Sequence, residues 1–332
     1  MKVLHYCFNK EEAPYFQEVQ QKYGFRMDFT EQALTYENAR QTAGYDAIWV
    51  LTPCVIDDAV AEILQENGVR YVVSRAAGID HLDIESLGRR GIKAANTPDY
   101  SPRSIAEFAV MMALNSIRRT KRSSQMTADL DFRLNGLRGK ELGSLYAGVI
   151  GTGRIGFETA RLLHGFGCRV GAYDLFPSPA VEAYAQYWPL EQLYTQCDIL
   201  FLHCPLTSET EHMINRESLR LMPKGVYIVN AARGGLVDHE AVLEGLESGQ
   251  IAGFAFDVYE NEKSFIRRKL GQGEAPDSVF TKLIACDNVD YSAHISFFTD
   301  QAVENMIFRA LENLAQYAQT GSCENELTNC RL

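Results

Sequence analysis

"LYAGVIGTGRIGFETARLLHGFGCRVGAYD", residues 145–174, decides the fold. It opens on an apolar run, "LYAGVIG" (145–151), of the length of a buried strand. It then turns through glycines, continues as the amphipathic stretch "RIGFETARLLHGFG" (154–167), and closes on a second apolar run, "CRVGAYD" (168–174). Strand, tight turn, helix and strand in this order predict two parallel strands joined by a crossover helix. Inside the turn, Gly151, Gly153 and Gly156 stand at G-x-G-x-x-G spacing. The first glycine permits the turn, the second lets a pyrophosphate approach the backbone, and the third lets helix pack on strand.

The unpaired N–H groups of the helix start would meet phosphate oxygens there. Asp174 ends the second strand, near the offset at which a carboxylate accepts hydrogen bonds from ribose hydroxyls. It would repel a 2'-phosphate, so the expected cofactor is NAD rather than NADP. A structural turn with a capping aspartate would carry the same letters. The strand before and the helix after favour the dinucleotide.

Outward from this unit the alternation continues on both sides. "KVLHYC" (2–7), "FRMDFT" (25–30), "DAIWVLT" (46–52), "RYVVS" (70–74) and "IKAANT" (92–97) read as strands. The amphipathic stretch "DDAVAEILQENG" (57–68) between them is closed by a helix-ending glycine. "DILFLHCP" (198–205), "GVYIVNAA" (225–232) and "GFAFDVY" (253–259) extend the second block. Between the blocks, "SPRSIAEFAVMMALNSIRRTKRSS" (101–124) predicts one long helix with Pro102 at its first position. "DQAVENMIFRALENLAQYAQTG" (300–321) predicts a closing amphipathic helix ended by Gly321. "IDHLD" (79–83) offers side chains that could ligate, but reads as a cap for the next helix.

At 332 residues the chain has room for two domains. A formal charge of −11 argues against a nucleic-acid binder, which needs a basic face. No apolar run reaches the ~18–20 residues of a membrane span. The start, "MKVLHYCFNKEEAPYF", does not read as a secretory signal. The eight cysteines (7, 54, 168, 197, 204, 286, 323 and 330) are scattered without CxxC spacing. They are expected as reduced thiols in a cytoplasmic protein, with no metal site.

Three segments of the second block carry reactive groups to strand ends, where open α/β sheets bind ligands. "NAARGGLVD" (230–238) places Arg233 there, a guanidinium able to grip a carboxylate with two parallel hydrogen bonds. "FDVYENE" (256–262) puts Asp257 at a strand tip and Glu260 and Glu262 in the turn beyond. "NVDYSAHISFF" (288–298) ends a strand-like approach in His294. Arg, acid and His together are what the reduction of a 2-keto acid needs. The guanidinium holds the substrate carboxylate and polarises the carbonyl. The imidazolium protonates the developing alkoxide, and a carboxylate beside it stabilises its charge. His5 and His203 fall in strands, His164 in a helix, and His81, His212 and His239 among helix-start signals, so they fit this work less well.

With these residues in place, the chain resembles the D-isomer-specific 2-hydroxyacid dehydrogenases, closest to the D-lactate dehydrogenase branch. The likeness rests on "SRAAGIDHLD" (74–83), "PDYSPRSIAE" (98–107), "GVIGTGRIG" (148–156), "LHCP" (202–205), "NAARGGLVD", "DVYENE" and "AHISFFTDQAVENM" (293–306). It implies two doubly wound, Rossmann-like parallel-sheet domains with a cleft between them. Residues 1–100 plus 299–332 would form a discontinuous, flavodoxin-like substrate domain, and 101–298 the NAD-binding domain. It implies Arg233, Glu262 and His294 as the catalytic trio. Arg154 and Ile155 would meet the pyrophosphate, and Asp257 the nicotinamide carboxamide. Cys204, Pro205, Thr210, Ala231 and Ala232 would line the cofactor cleft. Ala77 and Gly78 would bind the substrate carboxylate through backbone N–H groups, with Tyr100 close by and Leu51 walling the substrate's C3 group. A homodimer is the family's common state.

The chain departs from the family pattern at Ala293, where proline usually precedes the histidine. It departs also at Ala231, Cys204 and Arg103. None of these removes a reacting group. The apolar Leu51 suits pyruvate, making D-lactate the expected product. A (R)-2-hydroxyisocaproate or aryl-lactate dehydrogenase is the alternative. A non-catalytic NADH-sensing binding protein would share the fold but has no use for the trio.

Overall fold

The computed structural model describes residues 1–16, 23–98, 100–272 and 274–328. Asp99 and Cys330 lie outside the described residues. The chain forms two compact units, Met1–Ser101 with Thr299–Leu332, and Pro102–Phe298.

The first unit is built on β1 (Lys2–His5), β2 (Arg26–Phe29), β3 (Ala47–Val50), β4 (Tyr71–Ser74) and β5 (Lys93–Ala95). All pair in parallel, in the order β2-β1-β3-β4-β5. Every residue of β3 is buried, as a central strand covered on both faces requires. One face carries α1 (Asp58–Glu66) and α2 (Ile84–Arg89). Asp57 caps the first by accepting from the Val60 N–H, and Asp83 caps the second by accepting from the Ser86 N–H. The "IDHLD" stretch therefore serves helix α2, and its His81 ring hydrogen-bonds the Ser74 hydroxyl at 3.0 Å.

The other face is closed from the far end of the chain. A long helix, α10 (Asp300–Thr320 in chain order), packs Ile307, Ala310, Leu311, Leu314 and Tyr317 against Val3, Trp49, Val73 and Ala95. These residues recur every three or four positions, which is why the helix shows one apolar stripe. Gly321, at φ 72°, ends it.

The second unit holds β6 (Tyr146–Ile150), β7 (Arg169–Tyr173), β8 (Gln186–Tyr187), β9 (Ile199–Leu202), β10 (Val226–Asn230), β11 (Ile251–Phe256) and β12 (Val289–Tyr291). The sheet is parallel, in the order β12-β11-β10-β9-β6-β7-β8. The connection direction reverses between β6 and β9, so the ends of these two strands flank the crevice where a doubly wound sheet takes its ligand. His203 lies one residue past β9 rather than inside it.

The expected single helix over 101–124 is two. α3 (Pro102–Arg118) ends at Arg119, which adopts φ 54°, and α4 (Thr120–Ala128) follows. Contacts distant in sequence make the break. The Ile117 carbonyl accepts from the Lys140 N–H at 3.2 Å. Gly139 backs so closely on it that a Cβ there would sit 2.4 Å from the same oxygen. Lys121 turns its ammonium onto the carbonyls of Ile284, Cys286 and Val289 at 2.9–3.0 Å. α5 (Arg154–Gly165) is the crossover helix after the glycine turn. α6 (Leu190–Gln196), α7 (Arg216–Leu221), α8 (His239–Ser248) and α9 (Ser278–Ala285) complete the unit. No described helix is long and apolar enough to cross a membrane.

His239 opens α8 fully inside the core. Neither ring nitrogen has a hydrogen-bond partner, and the ring packs on Tyr259 at 4.5 Å between centroids. Burial, with a smaller contribution from His212, lowers its pKa from 6.5 to about 4. Between those values the unfolded chain takes up a proton that the folded chain refuses, so stability falls as pH drops through the window. This one group is expected to cost about 2 kcal/mol between pH 7 and pH 5. Urea unfolding of the wild type and of His239→Leu at the two pH values checks it. The variant should lose about that much less stability on acidification.

Candidate active site

The turn between β6 and α5 follows directly from the glycines. Gly151 has φ +89° and lies so near the loop after β9 that a Cβ would fall 2.5 Å from the Cys204 nitrogen. A Cβ on Gly156 would fall 1.9 Å from the Gly151 oxygen. At Gly153 the space a Cβ would fill is open. No side chain caps the start of α5, so its first-turn N–H groups, near Arg154 and Ile155, are not spent on a capping residue. A crowded inner side, an open outer side and an uncapped helix start fit a pyrophosphate.

Asp174 lies just past β7. Its Oδ2 accepts from the Thr152 N–H at 2.6 Å and from the Thr152 hydroxyl at 3.1 Å, and its Oδ1 from the Phe176 N–H at 2.9 Å. The carboxylate thus braces the turn. Across the switch point, Cys204 packs its sulfur on Met213 at 3.6 Å, and burial pushes its thiol up to about 11. Thr210 closes the adjoining turn, donating to the Pro205 carbonyl at 2.7 Å. Ala231 is buried and Ala232 half-buried beyond β10, where the Ala232 N–H donates to Asn230.

No sequence motif assigns Asn230 a role. Fully buried at the end of β10, it also donates to the Arg233 carbonyl at 2.8 Å and so holds the loop that carries the guanidinium. Arg233 Nη1 donates back to the Ala232 carbonyl. The next residue, Gly234, presses on the following loop. A Cβ there would lie 2.2 Å from the Glu260 nitrogen and from the Tyr259 carbonyl carbon. Backbone against backbone, the arginine loop and the acid loop become neighbours.

The acid loop and the histidine loop are joined by Asp257. Its residue surface is entirely buried. Oδ1 accepts from the Ser292 hydroxyl at 2.7 Å and the Ile295 N–H at 2.9 Å, and Oδ2 from the Ser296 N–H at 2.9 Å. The Asp257 carbonyl accepts from the His294 N–H at 2.8 Å. His294 takes φ 55°, a left-handed conformation costly for a non-glycine residue and held by these bonds. Its Nδ1 then donates to Glu262 Oε1 at 2.6 Å, while Glu262 Oε2 accepts from the Tyr259 N–H at 2.8 Å. The two turn acids separate here, because Glu260 goes instead to His212, at 3.1 Å on a more exposed face. That second His–carboxylate pair was not foreseen in the sequence.

In the first unit, Leu51 follows β3 and packs beside the aromatic cluster that includes Phe8, Phe16, Phe29 and Trp49. Ala77 and Gly78 lie in the loop after β4, where the Ala77 carbonyl accepts from the Asn96 side chain at 2.8 Å. The preceding Arg75 forms a buried two-pronged ion pair with Glu12 at 2.5 and 2.9 Å. The Tyr100 carbonyl accepts from Asn305 at 2.7 Å. Among the described residues, no group of three or more His, Cys, Asp or Glu could hold a metal ion.

A dinucleotide turn at the switch point and an imidazole paired with a carboxylate beyond the same sheet define a nicotinamide-dependent oxidoreductase. The sequence pattern of the D-isomer specific 2-hydroxyacid dehydrogenase NAD binding domain matches residues 110–296. Over 98% of its length, covering 99% of the relative, the chain is 37% identical to an aromatic 2-oxoacid reductase of Clostridium sporogenes. It is 36% identical to a D-lactate dehydrogenase of Escherichia coli, over 98% of this chain and all of that one. A solved D-2-hydroxyisocaproate dehydrogenase superimposes with a TM-score of 0.89 at 32% identity, covering 99% of this chain and 100% of that one. The chain belongs to the D-isomer-specific 2-hydroxyacid dehydrogenases, and NAD is its cofactor.

Gly156→Ala forces a methyl group into the Gly151 carbonyl. It is expected to raise the NADH dissociation constant at least tenfold, about 1.4 kcal/mol, as read by fluorescence titration.

Proposed function

We propose that the protein reduces a small apolar 2-keto acid to its (R)-2-hydroxy acid, with pyruvate to D-lactate as the leading reaction. The observation that carries this reading is the 2.6 Å bond between His294 Nδ1 and Glu262, on loops braced against the one that bears Arg233. Bound NADH supplies the hydride that adds to the carbonyl carbon. Glu262 occupies Nδ1 and fixes the ring's orientation, so Nε2 of His294 is the atom that delivers the proton for the new hydroxyl. Arg233 holds the substrate carboxylate and polarises the carbonyl. Asp174 takes the adenosine ribose, and Arg154 and Ile155 the pyrophosphate. Cys204, Pro205, Thr210, Ala231 and Ala232 line the cofactor's path. Asp257 serves first to hold the histidine loop, and a nicotinamide carboxamide would use what hydrogen-bonding capacity its carboxylate has left. In the first unit, the Ala77–Gly78 loop takes the substrate carboxylate, Tyr100 lies near it, and Leu51 limits the substrate's side chain.

A second reading, a branched or aromatic 2-keto acid, draws support from the rings grouped with Leu51. Rates of NADH oxidation with pyruvate, 2-ketoisocaproate, phenylpyruvate and 2-oxoglutarate distinguish these. The dicarboxylate is expected to be poorest, and indifference to all four would refute the reading. His294→Gln is expected to lower kcat by ~10²–10⁴ with NADH binding retained. Glu262→Gln should lower kcat while NADH binding, read by fluorescence titration, is retained.

We also propose a cytoplasmic homodimer. Leu130, Phe132 and Leu134, exposed by 77%, 74% and 83%, form an apolar segment after α4 that suits a second copy of the chain. Sedimentation of Phe132→Asp should show monomer where the wild type shows dimer.

A further inference from the structure

Two of the eight cysteines, 47 residues apart, meet in the first unit: the sulfurs of Cys7 and Cys54 are 3.7 Å apart. Nothing in their spacing announces this. The fold brings them together because β1 and β3 are adjacent, and both thiols lie just past the carboxyl ends of those strands. These are the strands that flank the reversal in the order β2-β1-β3-β4-β5, the side on which a sheet of this kind takes its ligand.

The surroundings suit a pair that reacts in order. Cys7 is partly exposed and Cys54 is buried. Cys7 adopts φ 56° and donates its N–H to the Gln32 carbonyl. The Leu34 N–H donates to the Cys54 sulfur at 3.3 Å. Burial alone would push the Cys54 thiol up, but hydrogen bonds from the Cys7 thiol and from backbone N–H groups outweigh it and hold it below its ordinary value. Cys54 also ends the turn that begins at Leu51, its N–H donating to the Leu51 carbonyl at 2.9 Å.

We propose that Cys7 and Cys54 form a reversible disulfide in response to a peroxide, and that the bond alters how the enzyme accepts its 2-keto acid. The Cys7 thiolate takes one oxygen from hydrogen peroxide. The O–O bond breaks, the departing hydroxide takes up the proton that the Cys7 thiol had released and leaves as water, and Cys7 becomes a sulfenic acid. The Cys54 thiolate attacks that sulfur, the S–S bond forms as the S–O bond breaks, and the departing hydroxide takes up the proton that the Cys54 thiol had released and leaves as the second water. Two thiols are oxidised and one peroxide is reduced to two waters. To reach bonding distance the sulfurs close by about 1.7 Å, which draws on the turn holding Leu51. The effect on the substrate rests on the reading that Leu51 walls the substrate; formation of the bond does not.

The test begins with full-length enzyme reduced by dithiothreitol and assayed with NADH and both pyruvate and phenylpyruvate. The enzyme is then treated with dilute hydrogen peroxide. Peptide mapping without reductant is expected to find Cys7 linked to Cys54. KM for the keto acid should shift several-fold while NADH affinity stays put, and dithiothreitol should restore it. Cys7→Ser and Cys54→Ser should each keep the reduced enzyme's KM and lose the peroxide response. Linkage without a KM change, or a response that survives in both variants, overturns the switch. A pair that remains reduced while other thiols oxidise overturns the site. An enzyme inactive before any peroxide is added would instead count against the proposed function.

Discussion

A carboxylate with no exposed surface, Asp257, is the constraint from which the reactive part of the second unit follows. A buried charge is tolerated only when its lone pairs are met. Here they are met by one hydroxyl and two backbone N–H groups from a single short segment, Ser292 to Ser296. That segment cannot relax without stranding the charge. The cost of the left-handed His294 backbone is small beside that penalty, so the ring is held toward Glu262 rather than sampling other directions.

The same economy appears at the glycines. Gly151, Gly156 and Gly234 have no room for a side chain because backbone approaches backbone. In the first two the approach shapes the tight turn that leads into α5. In the third it presses the loop that carries Arg233 against the loop that carries Glu260 and Glu262. Asn230 and Asp174 then spend buried or half-buried polar groups on holding these turns.

Much of this was legible in the sequence because it rests on local pattern. Both parallel sheets, the crossover helix after the glycines and the amphipathic closing helix follow from apolar periodicity and turn chemistry. That an acid from the "DVYENE" loop would meet His294 was legible because both loops lie a few residues past strand-like runs. What the letters did not carry was the result of distant contacts. The break at Arg119 depends on Lys140 and on carbonyls from residues 284–289. The two-residue β8 is too short for any periodicity. The pairing of His212 with Glu260 and the approach of Cys7 to Cys54 arise from strand adjacency, not spacing. Asn230 carried a faint signal, a polar residue closing an otherwise apolar run.

The return of α10 to the first sheet has a consequence for how the chain is made. On the ribosome, the five strands of Met1–Ser101 emerge with one face only partly covered, since Ile307, Leu311 and Leu314 reach Val3, Trp49 and Val73 only after Pro102–Phe298 has been synthesised. The middle of the polypeptide, whose sheet draws on no later residues, can complete itself first. The earliest translated strands are thus the last to be sealed, and a nascent chain stalled before residue 300 would present a partly uncovered apolar sheet face to chaperones.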